Sequence, residues 1–459
     1  MSSAQREAVR ATASADLNVR DVHLLHMGRL LEGCISISNG IIIYVGREAG
    51  APRAERALRG RGLLALPGPI DAHVHLRDEA LSYKEDFYTG TCSAVAGGIT
   101  SVLDMPNTVP PVNSASRLEE RAAKARREAV ANVGFFSLFP ARLDEIGDVA
   151  GAGAVGFKVY LHEPKTTLPI WEEAVLREAV LLANRAGLPV AFHAEDREVI
   201  EEVGEKLGGD VDFITRFVLS HPPEAEVRAV ERLARELGGL RVHVCHVSVP
   251  RAVELAKSAG FSVEATPHHL FLSSSAYGRL GPLALMDPPL RSEELASGLR
   301  RLLYSGLIDI VASDHAPHAL EEKLDTSSTP PGVPGLETLL PLMLNEVAER
   351  RLSLSQLVEL LCTRPAQVFG LDGGVLEPGR PADIVLVDLK AEVRVEPGRF
   401  LSKAKYSPFE GLRLRGAPVC TIVNGHVAFE EGEVVAERGC GRILRPRSRP
   451  GGRDAGRGR

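Results

Sequence analysis

No uncharged apolar run in this sequence approaches the roughly 18 residues that a membrane-spanning helix needs. The opening stretch, MSSAQREAVRATASADLN, lacks the apolar core of a secretory signal, so the expected location is cytoplasmic. Cysteine is sparse. Six are scattered at positions 34, 92, 245, 362, 420 and 440 with no C-x-x-C pair. That excludes a disulfide scaffold and fits reduced thiols. Positive charge is not in excess either: 54 Lys and Arg stand against 60 Asp and Glu, a net charge of −6. The balance argues against a dedicated nucleic-acid binder. Finally, no Gly-rich phosphate loop follows an early strand, which removes the usual mark of an open dinucleotide-binding sheet.

What is present is a chain of 459 residues with an ordinary 44% hydrophobic content, enough for about two or three domains. Its charge is uneven. The last 18 residues, RILRPRSRPGGRDAGRGR, carry seven arginines and one aspartate, so the rest of the chain is near −12. This Pro/Gly/Arg-rich stretch has no apolar periodicity, and residues 441–459 are expected to be a structureless basic tail. It is the one segment suited to an RNA or protein partner. Residues 1–17 are expected to be structureless as well.

Residues 18–66 carry short alternating runs such as CISISNGIIIYVG, broken at Asn-Gly and Gly, which is the pattern of hairpins. From residue 67 the pattern changes. Short apolar runs (LPGPIDAHVHL, SVLDMP, VGFFSLFP, AVGFKVYL, LPVAFHAE, RVHVCHV, SVEATPHHL, IDIVASDHAPH) alternate with amphipathic stretches at 115–130, 170–186, 223–238 and 291–305. These eight strand candidates with helices between them predict an α/β fold, a (β/α)8 TIM-like barrel over 67–374. After 375 the hairpin pattern returns in GVLEPGRPADIVLVDL and CTIVNGHVAFEEGEVV. The prediction is a small β-sandwich built from 18–66 and 375–440, with the barrel inserted between its halves.

Residues 70–79, IDAHVHLRDE, place His73, His75 and Arg77 on alternate positions where an apolar run ends. Strand geometry sends all three to one side, and two imidazoles with a guanidinium do not pack as a core. The other chemically loaded residues fall at matching places on later strands: Asn107 after the second, Lys158 on the fourth, His193 ending the fifth. His243 and His246 lie on the sixth, Glu264 on the seventh, and Asp314 ends the eighth. Active-site residues of such barrels gather at the C-terminal strand ends, so imidazoles and carboxylates there predict a convergent metal site. The nitrogen and oxygen donors suit Zn²⁺. On the sixth strand an odd separation lets only one of His243 and His246 face inward, and spacing does not say which. A lysine ammonium beside divalent cations would be repelled. Lys158 therefore either pairs elsewhere or has reacted with CO₂ to give an anionic carbamate that bridges two metals.

The stretches GPIDAHVHLRDE, DMPNTVPPV, GFKVYL, FHAE, VCHVS, SDHAPHALEEK, PPGVPGLET and SPFEG together resemble the dihydroorotase family of the amidohydrolase superfamily, from about residue 18 to 437. H-x-H with a late Asp is shared across the superfamily, including allantoinases and hydantoinases. The Arg of HVHLR, the SDHAPH-x-x-EEK stretch and SPFEG are closer to dihydroorotases. The resemblance implies two zinc ions per subunit. His73, His75, carbamylated Lys158 and Asp314 would hold the first; Lys158, His193 and His246 would hold the second. It also implies that Asp314 is the catalytic acid/base, and that Arg77, Asn107, His318, Pro331 and Gly332 hold the substrate.

Cys245 and Glu264 match positions that lie near an additional metal in some relatives, but a third metal there is not expected. The implied reaction is reversible hydrolysis of (S)-dihydroorotate to N-carbamoyl-L-aspartate in pyrimidine synthesis. The implied partners are that small molecule, with no nucleic acid and no membrane, and either further copies of the chain or a carbamoyltransferase. YLHEPKTTLP is expected to be the mobile loop over the substrate, with Thr166 and Thr167 as hydroxyl donors. One departure stands out. Asp287 in MDPPLRS sits where relatives place Asn or Arg, and a carboxylate is a poor neighbour for an anionic substrate.

Overall fold

The computed structural model describes residues 14–163 and 165–447, so expectations for 1–13 and 448–459 fall outside the described residues. The first hairpins form β1 (Ala15–His26), β2 (Arg29–Ser38), β3 (Ile41–Gly46) and β4 (Ala54–Pro67). The barrel strands follow: β5 (Ile70–Val74), β6 (Ser101–Asp104), β7 (Asn132–Ser137), β8 (Gly156–Tyr160), β9 (Val190–His193), β10 (Val242–Val244), β11 (Ser262–Ala265) and β12 (Ile310–Val311). Neighbours in space are neighbours in sequence, from β5 through β12, and every pairing is parallel. A bridge from Val74 to His315 and the bond from His75 N–H to the His315 carbonyl (2.7 Å) bring the ends of this sheet together. The strands are buried along nearly their whole length, as a parallel sheet covered by helices requires.

The helices occupy the amphipathic stretches. Ala115–Glu128, Glu173–Arg185, Pro223–Leu237 and Glu293–Tyr304 lie within the four expected ranges. Local chemistry sets their starts. Ser114 accepts from the Arg117 N–H, Ser292 from the Leu295 N–H, and Pro223 occupies a first-turn position where its missing N–H costs nothing. Leu118, Ala122 and Ala125 repeat at helical spacing and turn one face of Ala115–Glu128 to the strands. The barrel interior is filled rather than hollow. Leu103, Met105, Phe136, Ala191, Ile310 and Ala312 share one cluster, and Phe369 meets Phe136 edge-on at 5.4 Å.

The remaining strands are β13 (Ile384–Arg394), β14 (Arg413–Val423), β15 (His426–Glu430) and β16 (Glu433–Val434). With β1–β4 they make one eight-stranded sheet in the order β16-β15-β14-β13-β4-β1-β2-β3. The two chain ends meet where β4 pairs antiparallel with β13, Leu66 opposite Val385. Leu17, Val19, Ile35, Ile37, Ile384, Leu386 and Ile422 give this sheet a core of its own. Among the described residues no helix is long and apolar enough to cross a membrane.

Both expected tails prove shorter. β1 begins at Ala15, not after residue 17. At the other end, residues 441–447 are not structureless. The Val133 N–H donates to the Arg442 carbonyl and the Leu444 N–H to the Val133 carbonyl, each at 2.9 Å, and the Arg447 N–H donates to the Gly370 carbonyl at 2.8 Å. Ile443 and Leu444 pack against apolar clusters of the barrel. The arginine-rich composition hid this docking, because two apolar residues and main-chain bonds carry it. Removing residues 442–459 should therefore cost about 2 kcal/mol of stability and lower the apparent Tm by a few degrees. Calorimetry of the truncated and full-length chains checks this; identical melting curves would show that the docking is energetically neutral.

Candidate metal centre and active site

The C-terminal ends of the barrel strands bring six of the expected ligands together. Asp314 Oδ1 lies 3.3 Å from His75 Nε2 and 3.6 Å from His73 Nε2. The His246 ring sits 5.2 Å from His73 and 4.6 Å from His193, centroid to centroid. Lys158, almost wholly buried, points its Nζ to within 3.0 Å of Cys245 Sγ. Two of these residues, Asp314 (φ 47°) and His246 (φ 35°), hold the left-handed backbone that ordinary residues avoid. Arg77, Asp78 and Glu79 do the same in succession (φ 54°, 60° and 51°). Such conformations cost of order 1–3 kcal/mol each and persist where the surroundings enforce them.

Those surroundings are polar and buried. Asp104 accepts from the Leu76 N–H (2.8 Å) and pairs with Arg121, whose guanidinium also donates to the Arg77 carbonyl (3.1 Å). Asp71 accepts from the Ser313 N–H (3.0 Å), which ties the first strand to the approach of Asp314. Burial pushes the Asp71 carboxyl up to about 7. Glu264 clamps two imidazoles at once, His73 Nδ1 at 2.5 Å and His243 Nε2 at 3.0 Å. Desolvation acts to raise its pKa, but His73 and His243 outweigh it and hold the carboxylate low. Glu264 thus fixes the ring of His73 and leaves Nε2 for the centre, the usual arrangement behind a metal-binding imidazole.

Both His243 and His246 turn inward, which corrects the parity argument. β10 ends at Val244, and the left-handed turn at His246 breaks the two-residue period. His246 joins the convergent group, as the resemblance implied, while His243 supports Glu264. Asn107 also differs from expectation. Its side-chain oxygen faces His75 Nδ1 at 2.7 Å, so it orients that ring and keeps only its amide N–H groups for a ligand. Thr166 donates its hydroxyl to the Phe139 carbonyl (2.8 Å) and anchors its own loop.

Arg77 is the other notable charge. Its side chain is buried, and among the described residues no carboxylate lies within ion-pair distance. Nε donates to the Pro317 carbonyl at 3.2 Å, and a terminal nitrogen lies 3.2 Å from His318 Nε2. His318 also meets the Pro331 carbonyl (3.0 Å) and Lys84 Nζ (3.1 Å). Burial first, then the charges of Arg77 and Lys84, keep this imidazole neutral. Gly332 completes the wall at φ 137°; a Cβ there would stand 2.5 Å from the Ala316 carbonyl oxygen. Tyr406, which sequence reading did not single out, donates its hydroxyl to the Gly332 carbonyl at 3.3 Å.

Asp287 does not face Arg77. Its oxygens lie 3.4 Å from His162 and 3.7 Å from His193. Burial opposes its ionisation, but the hydrogen bond and charge of His162, whose own pKa is raised, hold the carboxylate low. Sequence reading also missed His162, His221 and Glu195, whose signal was only their closeness to His193 in space.

The donor set fits a metal. Ligand atoms of His73, His75 and Asp314 lie within 4.8 Å of one another. Burial holds His75 down at about 4 and keeps His193 and His246 neutral, the state that binds metals. His246 Nδ1 is buried with no hydrogen-bond partner among the described residues, the mark of an atom made for a ligand.

Comparison with known proteins agrees with this geometry. The Amidohydrolase family model matches residues 64–428. The chain is 34% identical over 447 residues to a dihydroorotase of Methanosarcina acetivorans, covering 94% of this chain and 95% of that one. It is also 34% identical over 458 residues to an L-hydantoinase of Paenarthrobacter aurescens, covering 94% and 98%. Among solved structures, the L-hydantoinase (dihydropyrimidinase) from Arthrobacter aurescens superposes with a TM-score of 0.88 at 31% identity, covering 94% of this chain and all of that one. The chain belongs to the amidohydrolase family, as a cyclic amidohydrolase resembling dihydroorotases and hydantoinases.

Proposed function

We propose that this enzyme is a dihydroorotase, reversibly hydrolysing the cyclic amide of (S)-dihydroorotate to N-carbamoyl-L-aspartate in pyrimidine synthesis. The observation that carries the reading is Arg77, a buried guanidinium beside the strand-end cluster with no carboxylate partner among the described residues. A buried cation without a counter-ion is costly, and a substrate carboxylate would supply one through a bidentate fork. A hydantoin ring has no such group. The similarity to hydantoinases favours the neutral ring as the second reading, and Arg77 separates the two.

In this reading His73, His75, Lys158 as its carbamate, Asp314, His193 and His246 would hold two zinc ions. The ammonium beside Cys245 loses one proton, and the neutral amine then adds to CO₂ and loses a second, so a cation becomes an anionic carbamate ligand. Zinc held there would supply Lewis acidity for the amide carbonyl and lower the pKa of the attacking water. Asp314 is placed to take a proton from the attacking water and deliver it to the leaving ring nitrogen. Arg77 grips the carboxylate, and the Asn107 amide donates beside it. Neutral His318 and the backbone at Pro331 and Gly332 line the remaining edge of the ring. A cytoplasmic location and association with further copies or with a carbamoyltransferase fit the same reading.

Lys158→Ala should lose at least one metal and nearly all turnover, with partial rescue by short carboxylic acids. Metal analysis with steady-state assays reads this out, and intact metal content with normal turnover would refute the carbamate.

Truncating one partner of a desolvated charged pair costs roughly 2–5 kcal/mol. Arg77→Met should therefore lower kcat/KM for dihydroorotate by about 30-fold or more and change hydantoin hydrolysis, where detectable, much less. Arg77→Lys should recover only part of the loss, because an ammonium lacks the planar fork. A fully active Arg77→Met enzyme would move the hydantoinase reading ahead.

A further inference from the structure

Around the Nε2 edge of His193 lies a second group of ligand-type side chains that the proposed chemistry leaves unused. His162 comes from the segment after β8, Glu195 from the end of β9, His221 from the end of the helix Phe213–Ser220, and Asp287 from the loop ahead of Arg291. Ligand atoms of Glu195, His221 and Asp287 lie within 4.8 Å of one another, as do those of His162, His193 and Glu195. Asp287 Oδ2 stands 3.4 Å from His162 Nε2. Ligands around a tetrahedral zinc stand about 3.3 Å apart, given bonds of ~2.0 Å. Shifts of about 1 Å would close Glu195, His221 and Asp287 on an ion.

The charges point the same way. Glu195, Glu226 and Asp287 are three neighbouring carboxylates, and among the described residues one fixed cation, Arg291, faces them. It lies 3.4 Å from Glu195 and 3.8 Å from Glu226, and it is absent from the partners of Asp287. Asp287 meets only imidazoles, and its Oδ1 is buried without a hydrogen bond. Buried carboxylates are retained where they are paired or coordinate a metal. One imidazole and two carboxylates from three separate segments are a borderline-hard donor set of the kind zinc takes.

We propose that Glu195, His221 and Asp287 bind a further divalent transition-metal ion of the zinc class, with His162 supporting Asp287 from the side. This ion is separate from the pair at Lys158 and distant in role from Cys245 and Glu264. It shares no ligand with the pair, and it ties the end of the helix Phe213–Ser220 to the loop that carries Asp287. It also accounts for a carboxylate at position 287, since metal ligation neutralises that charge near an anionic substrate.

The test uses the full-length enzyme, equilibrated with zinc chloride and desalted, with zinc content and zinc-edge anomalous scattering as readouts. The expected result is an anomalous peak among Glu195, His221 and Asp287. His221→Ala and the near-isosteric Asp287→Asn should each lose one equivalent of zinc, while Lys158→Ala keeps the peak. That last arm separates this site from the proposed pair, which Lys158→Ala depletes. Unchanged zinc content in both variants, or no peak at these residues in the wild-type enzyme, would overturn the proposal. Loss of the whole peak set in Asp287→Asn would overturn it too, because the residues would then belong to the pair.

Discussion

Two buried cations at the barrel's strand ends, neither with a carboxylate partner among the described residues, set the terms for what surrounds them. Lys158 lies among neutral imidazoles with a thiol for its nearest partner, and Arg77 lies against the Pro317 carbonyl and a neutral imidazole. Burying an unpaired charge costs several kcal/mol, so each position needs a reason to exist. In the proposed reading the reasons differ. Lys158 ceases to be a cation by taking up CO₂, whereas Arg77 stays one and waits for the substrate's carboxylate. One residue serves the amide of the ring and the other its anion, and together they define a cyclic substrate with an acidic substituent.

Holding those two groups still is the work of the barrel. The strand ends supply the direction, but the last few ångströms come from buried pairs. Asp104 with Arg121 fixes the turn at Leu76 and Arg77, Asp71 joins β5 to the approach of Asp314, and Glu264 sets the ring of His73. The left-handed residues Arg77, His246 and Asp314 mark where the chain leaves its strands to aim a side chain. The strain resides at the site because the parallel sheet beneath it is regular and filled.

The barrel was legible because eight apolar runs alternate with amphipathic stretches, and both signals depend only on local period. The convergence of these side chains was legible because strand ends point to one face of a barrel, so residues far apart in sequence could be grouped without coordinates. Period alone failed where the backbone leaves its regular path. His243 and His246 both face inward because β10 ends between them, which no spacing rule encodes. Asn107 carries a second task that the sequence did not show: its oxygen faces His75, while its amide N–H groups stay available as donors. Residues 441–447 looked structureless by composition, yet main-chain bonds to Val133 and Gly370 carry no compositional signature. His162, His221, Glu195 and Asp287 come from four segments with irregular backbone. Nothing in the linear pattern brings them together.

The central claim is that this amidohydrolase recognises a carboxylate-bearing ring. Its most direct test is a parallel assay of the zinc-loaded wild-type enzyme on dihydroorotate, allantoin and hydantoin under one set of conditions. A buried Arg–carboxylate contact of roughly 3 kcal/mol predicts a kcat/KM for dihydroorotate at least about 100-fold above that for either neutral ring. Equal or faster turnover of hydantoin or allantoin would contradict the account and leave Arg77 without its proposed partner.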